Sequence, residues 1–298
     1  MQPTVVTDAG METDLIFHRG IDLPEFAAFP LLDSAPGRQA LRDYYAAFAE
    51  IAARHQLALS LESPTWRANP DWGARLGYDA PALARVNADA MSFLSALADE
   101  YAVPVTLVGM IGPRGDGYVS DGPVDPIAAH RYHAPQVAAL VNGGAQQVTA
   151  YTLTEVGEAV GITRAAREVG VPVAVGFTVE TDGRLPSGMT LGDAIARVDE
   201  DAPPDSYLVN CAHPRHIAAG LSAEASWLGR IEGVRVNASQ LSHAELDESE
   251  ALDEGDIGSL AREVVGLIDL LPNLRLVGGC CGTDARHVER MWEMLQPG

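Results

Sequence analysis

The sequence predicts an α/β chain folded as a single-domain (β/α)8 TIM barrel over residues 1–298, and three observations carry that expectation. Eight short runs rich in β-branched residues recur along the chain. Alanine- and leucine-rich segments with a helical period lie between them, as strands alternating with helices require. The first run is followed by no GxGxxG, so the doubly wound sheet is only the runner-up. With 298 residues and 47% hydrophobic content, the chain can fill one large barrel or two modest domains. No repeat, low-complexity tract or long linker argues for the second option.

Taken in order, the predicted strands are 4–7, 57–61, 103–108, 147–151, 171–177, 207–209, 234–236 and 274–277. Helical periodicity marks 38–54, 81–101, 127–141, 155–169 and 257–271. Glycine and proline stop several of them, as in "EVGVP" ahead of the fifth strand. The charge-free stretch 132–154 is long enough to raise a membrane question. It contains His133, Gln136, Asn142 and the Gly143-Gly144 pair, and so reads as a helix, a glycine stop and a strand. Residues 242–256, "SHAELDESEALDEGD", form an acidic insertion before the last helix-strand unit.

Composition narrows the chemistry. Formal net charge is −21, from 41 acidic and 20 basic residues, and every basic residue is arginine. That balance repels nucleic acid and anionic membranes, and without lysine there is no Schiff base and no P-loop. The partners expected are small molecules; oligomeric state is not legible. Three cysteines cannot close a disulfide framework, and the start, "MQPTVVTDAGMETDLIF", has no basic n-region or sustained apolar stretch. Unpaired cysteines in a reducing compartment, the cytoplasm, are the expectation.

The cysteines sit where a barrel carries its chemistry. Cys211 follows the sixth strand in "SYLVNCAHP", and Cys280 with Cys281 follows the eighth in "LRLVGGCCG". Carboxyl ends of barrel strands share one rim, and that rim holds the active site. Buried cysteines often only pack, but all three at predicted strand ends favour a site. Three thiolates suit tetrahedral zinc and leave one position open, the mark of a catalytic ion. Gly278, Gly279 and Gly282 fit a backbone that bends tightly there. His213 and His216 continue Cys211 as Cys-x-His-x-x-His, but entry into a helix explains them better than ligation.

With these residues in view, "GGCCGT", the upstream "NC" and the N-terminal Asp-x-Gly-Met-Glu-Thr resemble the homocysteine S-methyltransferase family. The likeness extends through "ESPTWRANPDW", "GMIGPRGDGY" and "VAVGFTVETDGRLPSGMTL". The resemblance implies a zinc-dependent thiol methyltransferase on a (β/α)8 barrel. It implies that Cys211, Cys280 and Cys281 bind zinc and that homocysteine, bound there as a thiolate, takes a methyl group to give methionine. The donor would be an onium or sulfonium compound of the S-methylmethionine, S-adenosylmethionine or betaine type, which the sequence does not distinguish.

Several positions depart from the family pattern. Asp8-Ala9-Gly10 stands where many relatives have Asp-Gly-Gly. The family glutamate expected to hold the amino group of homocysteine is Tyr151 here, leaving Glu155 as a candidate substitute. The tyrosine that closes the zinc shell in some relatives falls at Trp66, whose indole donates but cannot ligate. Asp8 and Asn237 complete the expected substrate contacts, and Glu12 and Asp14 are as well explained by helix-start polarity. Two alternatives stay open: a related enzyme with another thiol or selenol acceptor, and a barrel whose three-cysteine zinc is structural and whose role is binding.

Overall fold

The computed structural model describes residues 2–222, 225–247, 249 and 251–296. Eight parallel strands close a barrel in chain order. They are β1 (Val5–Val6), β2 (Ala58–Glu62), β3 (Val105–Ile111), β4 (Gln147–Leu153), β5 (Val173–Phe177), β6 (Ser206–Ala212), β7 (Ile231–Val236) and β8 (Leu276–Gly279). The helices are α1 (Met11–Thr13), α2 (Ala35–Arg54), α3 (Pro70–Arg75), α4 (Ala80–Ala98), α5 (Pro126–Asn142), α6 (Val156–Val169), α7 (Leu191–Asp201), α8 (Pro214–Gly220), α9 (His243–Asp247), α10 (Ile257–Ile268) and α11 (Ala285–Leu295). All eight predicted strands are present. β6 and β7 run longer than their β-branched runs, because Asn210 and Ala212 continue β6 and Ile231 and Gly233 begin β7 in the ladder.

Local chemistry sets the helix starts. Ser34, Asn69, Asp79, Asp125, Thr190, Asp256 and Asp284 each accept a backbone N–H of the first turn with their side chains. Gly170 ends α6 at φ 72°, a left-handed turn that glycine adopts without strain. The helices then bury one stripe each against the sheet. On α11 the buried set is His287, Val288, Met291, Trp292 and Leu295, one face of a 3.6-residue period. Burying each large apolar side chain there stabilises the fold by about 1.5–3 kcal/mol.

Inside the barrel a smaller apolar layer of Met110, Tyr151, Ala174 and Leu208 fills the bore, flanked by Trp66 and Leu276. It is a packed interior rather than a pore, so chemistry is confined to the rim above it. β1 is short, and two residue pairs join it to each neighbour. Among the described residues no helix is long and apolar enough to cross a membrane. Residues 248 and 250 of the acidic insertion lie outside the described residues; its first residues form α9.

Candidate active site at the carboxyl ends of the strands

Cys211 lies on β6, and Cys280 and Cys281 follow β8, so one strand separates the two positions. The three Sγ atoms lie within 4.8 Å of one another. The expectation of three unpaired thiols is corrected: Cys211 and Cys280 are joined as a disulfide, with Cα atoms 5.3 Å apart, and Cys281 keeps a free thiol. Their facing strand ends turn both side chains into the same cavity, which permits either state. Cys281 Sγ lies 3.9 Å from Cys211 Sγ. Burial pushes the Cys281 thiol up, so without a cation beside it the thiol keeps its proton. As a disulfide the pair offers no thiolate; reduced, the three sulfurs form a compact soft donor set of the kind zinc takes.

The backbone is bent to aim these groups. The register shifts on β4 between Ala150 and Leu153, and on β6 between Asn210 and Ala212. Thr152 and Cys211 inside those irregularities have φ of 60° and 52°. Left-handed backbone at a β-branched residue costs on the order of 1–3 kcal/mol and needs support. Asn210 supplies it: its Oδ1 accepts from Thr152 N at 3.0 Å and its Nδ2 donates to Thr152 Oγ1 at 2.8 Å. The Cys211 carbonyl accepts from Thr178 Oγ1 at 3.1 Å and lies 2.8 Å from His243 Nε2. Gly10 approaches from the first strand end so closely that a Cβ there would meet Cys280 O at 2.5 Å.

Beneath the thiols lies a buried charged cluster centred on Arg235 of β7. Its guanidinium pairs with Asp8 at 2.5 Å and Glu62 at 2.9 Å, and donates to Ala9 O and Gly279 O, each at 2.9 Å. Tyr151 donates to Glu62 Oε1 at 2.7 Å, and Tyr44 to Asp8 Oδ2 at 3.2 Å. Burial works against the Arg235 charge, but Asp8 and Glu62 more than offset it. Burial likewise raises the Asp8 carboxyl while Arg235 pulls it down. Burial also raises the Tyr151 phenol, and Glu62 adds to the effect.

A cavity of about 50 Å³ sits over this cluster, lined among others by Asp8, Gly10, Glu12, Trp66, Tyr151 and the three cysteines. That is room for a few waters. A second cavity of about 340 Å³ adjoins it, and Thr13, Phe26, Trp66, Tyr118 and Cys281 line both, forming the partition. Of the expected contacts, Asp8, Ala9, Gly10, Trp66 and Tyr151 are gathered at the inner cavity. Trp66 Nε1 donates to Tyr151 O at 3.4 Å. Glu155 is placed elsewhere: it accepts from Ser120 Oγ and lines a separate cavity of about 660 Å³. Asn237 is buried beyond the end of β7 and lines neither of the two joined cavities. His213 caps α8 through its ring, as helix entry predicts, and burial lowers it to about 4.

Sequence reasoning did not find Tyr118, His243, Arg235 or Glu62. The Tyr118 hydroxyl lies 3.5 Å from Cys211 Sγ and 3.3 Å from Cys281 Sγ. Its ring stacks on His243 at 4.2 Å, and His243 in turn pairs with Glu180 at 2.8 Å. The one available signal was that Tyr118 closes the motif "GMIGPRGDGY".

Comparison with known proteins agrees with this geometry. Crystal structures of the homocysteine methyltransferase MmuM from Escherichia coli superpose on the chain. The oxidised form matches with a TM-score of 0.78 at 18% identity, covering 98% of this chain and 95% of that one. The metallated form matches with a TM-score of 0.75 at 18% identity, covering 99% and 96%. At that identity the likeness speaks for the fold. Over 211 residues the chain is 29% identical to the methionine synthase of Mycobacterium leprae (strain TN); the match covers 65% of this chain but only 16% of that protein. The homocysteine S-methyltransferase profile matches residues 5–295, and the chain therefore belongs to the homocysteine S-methyltransferase family of methyltransferase enzymes.

Proposed function

We propose that the protein moves a methyl group from an onium or sulfonium donor to the sulfur of homocysteine, giving methionine, with a zinc ion held by Cys211, Cys280 and Cys281. The observation that carries this reading is the convergence of three sulfurs within 4.8 Å at the rim of a barrel of this family. Zinc, when bound, lowers the acceptor thiol's pKa so that it reacts as a thiolate at neutral pH. The protein's own residues do the rest. Asp8, Gly10 and Trp66 shape the inner cavity for the acceptor, and the adjoining outer cavity, walled by Phe17, Phe26 and Trp66 with Arg67 over the last two rings, is the place for the donor. The transfer is an in-line displacement that needs orientation and exclusion of water more than a general base. Binding requires the Cys211–Cys280 disulfide to be reduced by two electrons from external thiols, which suits a cytoplasmic setting.

The test is metal content of the reduced protein, followed by zinc-edge X-ray absorption with and without homocysteine. Three sulfurs per zinc rising to four on adding homocysteine is the expected result. Absence of zinc from the reduced protein would overturn the metal assignment. Tyr151 favours a second reading: its hydroxyl is bound to Glu62, so it supplies no carboxylate, and the acceptor could be a different thiol or a selenol. Three sulfurs unchanged by homocysteine, rising to four with another thiol, would select that reading.

A further inference from the structure

The polar groups around the inner cavity are satisfied with one exception. Asp8 is held by Arg235 and Tyr44, and Glu62 by Arg235, Tyr151 and Thr7. Tyr151 has given its hydroxyl to Glu62. Glu12, on α1, lines the same cavity as the three cysteines, half-buried. Among the described residues its carboxylate makes no ion pair and no hydrogen bond to another residue, although Arg235 and Arg67 both lie within electrostatic range. Leaving a half-buried carboxylate without a counter-charge costs free energy, and a cation entering the cavity recovers it.

The acceptor proposed above brings such a cation, since its α-ammonium is tethered to the thiol by two methylenes and a Cα. We infer that Glu12 receives the α-ammonium of the acceptor amino acid, in place of the strand-four carboxylate that Tyr151 has replaced, and so makes the site selective for an amino-acid thiol. The inference rests on the methyl-transfer reading and names the residue that recognises the acceptor's amino end. Position favours acceptor over donor: Glu12 lines the inner cavity with all three cysteines and does not line the outer one. One charge-assisted contact of this kind corresponds to about a 10- to 100-fold preference.

The test compares homocysteine with its desamino analogue, 4-sulfanylbutanoate, on zinc-loaded wild type, Glu12→Gln and Glu12→Asp, at saturating methyl donor. In Glu12→Gln, kcat/KM for homocysteine should fall about 10- to 100-fold, mostly through KM, while that for 4-sulfanylbutanoate stays within about twofold. Calorimetric titration of homocysteine in the absence of donor should show the same loss of affinity. Glu12→Asp, which keeps the charge, should retain most of the preference and covers the case in which the neutral variant fails to hold zinc. Equal losses on both thiols, no loss on homocysteine, or a change confined to the donor's KM would each overturn the assignment. A wild type that methylates neither thiol would instead sink the reading on which it rests.

Discussion

Two sets of side chains at the barrel rim are held in opposite ways. At the ends of β1, β2 and β7, Asp8, Glu62 and Arg235 satisfy one another across three strand ends and bury almost completely. At the ends of β6 and β8, the three sulfurs sit by bent backbone, with Cys211 at φ 52°; Cys211 and Cys280 are joined as a disulfide, and the other contacts of Cys211 and Cys281 are weak sulfur hydrogen bonds to Tyr118 and to each other. A saturated cluster has nothing left to offer a ligand and serves the fold. Once reduced, the soft sulfur set does the reverse, since it gains most when a cation arrives. The difference separates shape from chemistry within one cavity.

That separation can be broken by exchanging the symptoms. Cys281→Ser should reduce zinc from one per chain to well below stoichiometric and cut methyl transfer by about a thousandfold or more, while leaving the unfolding midpoint of the reduced, metal-free protein within about 2 °C. Metal analysis and calorimetry check it, and stoichiometric zinc in the variant would remove Cys281 from the ligand set. Arg235→Met should do the opposite, costing about 3–5 kcal/mol in urea unfolding because two buried carboxylates lose their counter-charge. A loss under about 1 kcal/mol would show that the cluster does not hold the fold.

The smallest effect sharpens the boundary. Asp284, three residues past Cys281, caps α11, and although burial raises its carboxyl, hydrogen bonds from His287 and Arg286 hold it well below the usual range. A depressed carboxylate stabilises the fold above its unfolded pKa of about 4 and loses that contribution as pH falls from there. Asp284→Asn should therefore cost about 1–2 kcal/mol at pH 7, a difference that shrinks progressively as pH falls below about 4. Thermal unfolding across that range measures it; a pH-independent difference would mean that Asp284 acts by packing alone.

The thiol side was legible in the sequence, and the charged side was not. Cysteine is rare in this chain, so three at predicted strand ends stood out. Charged residues are common, and nothing local marks Glu62 or Arg235 as buried, because their partners lie 173 residues apart in sequence. Tyr151 likewise meets Glu62 across 89 residues. Glu155 was misplaced for a backbone reason: the left-handed turn at Thr152 and the shift in register carry the chain out of the cavity before Glu155 is reached. His243 was hidden in an acidic stretch that reads as solvated surface. The strand count survived all of this, since β-branched runs depend on near neighbours alone.

Arg235 also has a consequence for how the molecule comes together. It touches the first, second, seventh and eighth strand regions at once, with Ala9 226 positions away along the chain. The ladder at that joint is only two residues long on either side of β1. Dehydrating a guanidinium and two carboxylates is repaid only when all four regions have arrived. Half-assembled barrels thus carry the cost without the return, which makes the final closure an all-or-none event and disfavours lingering open forms.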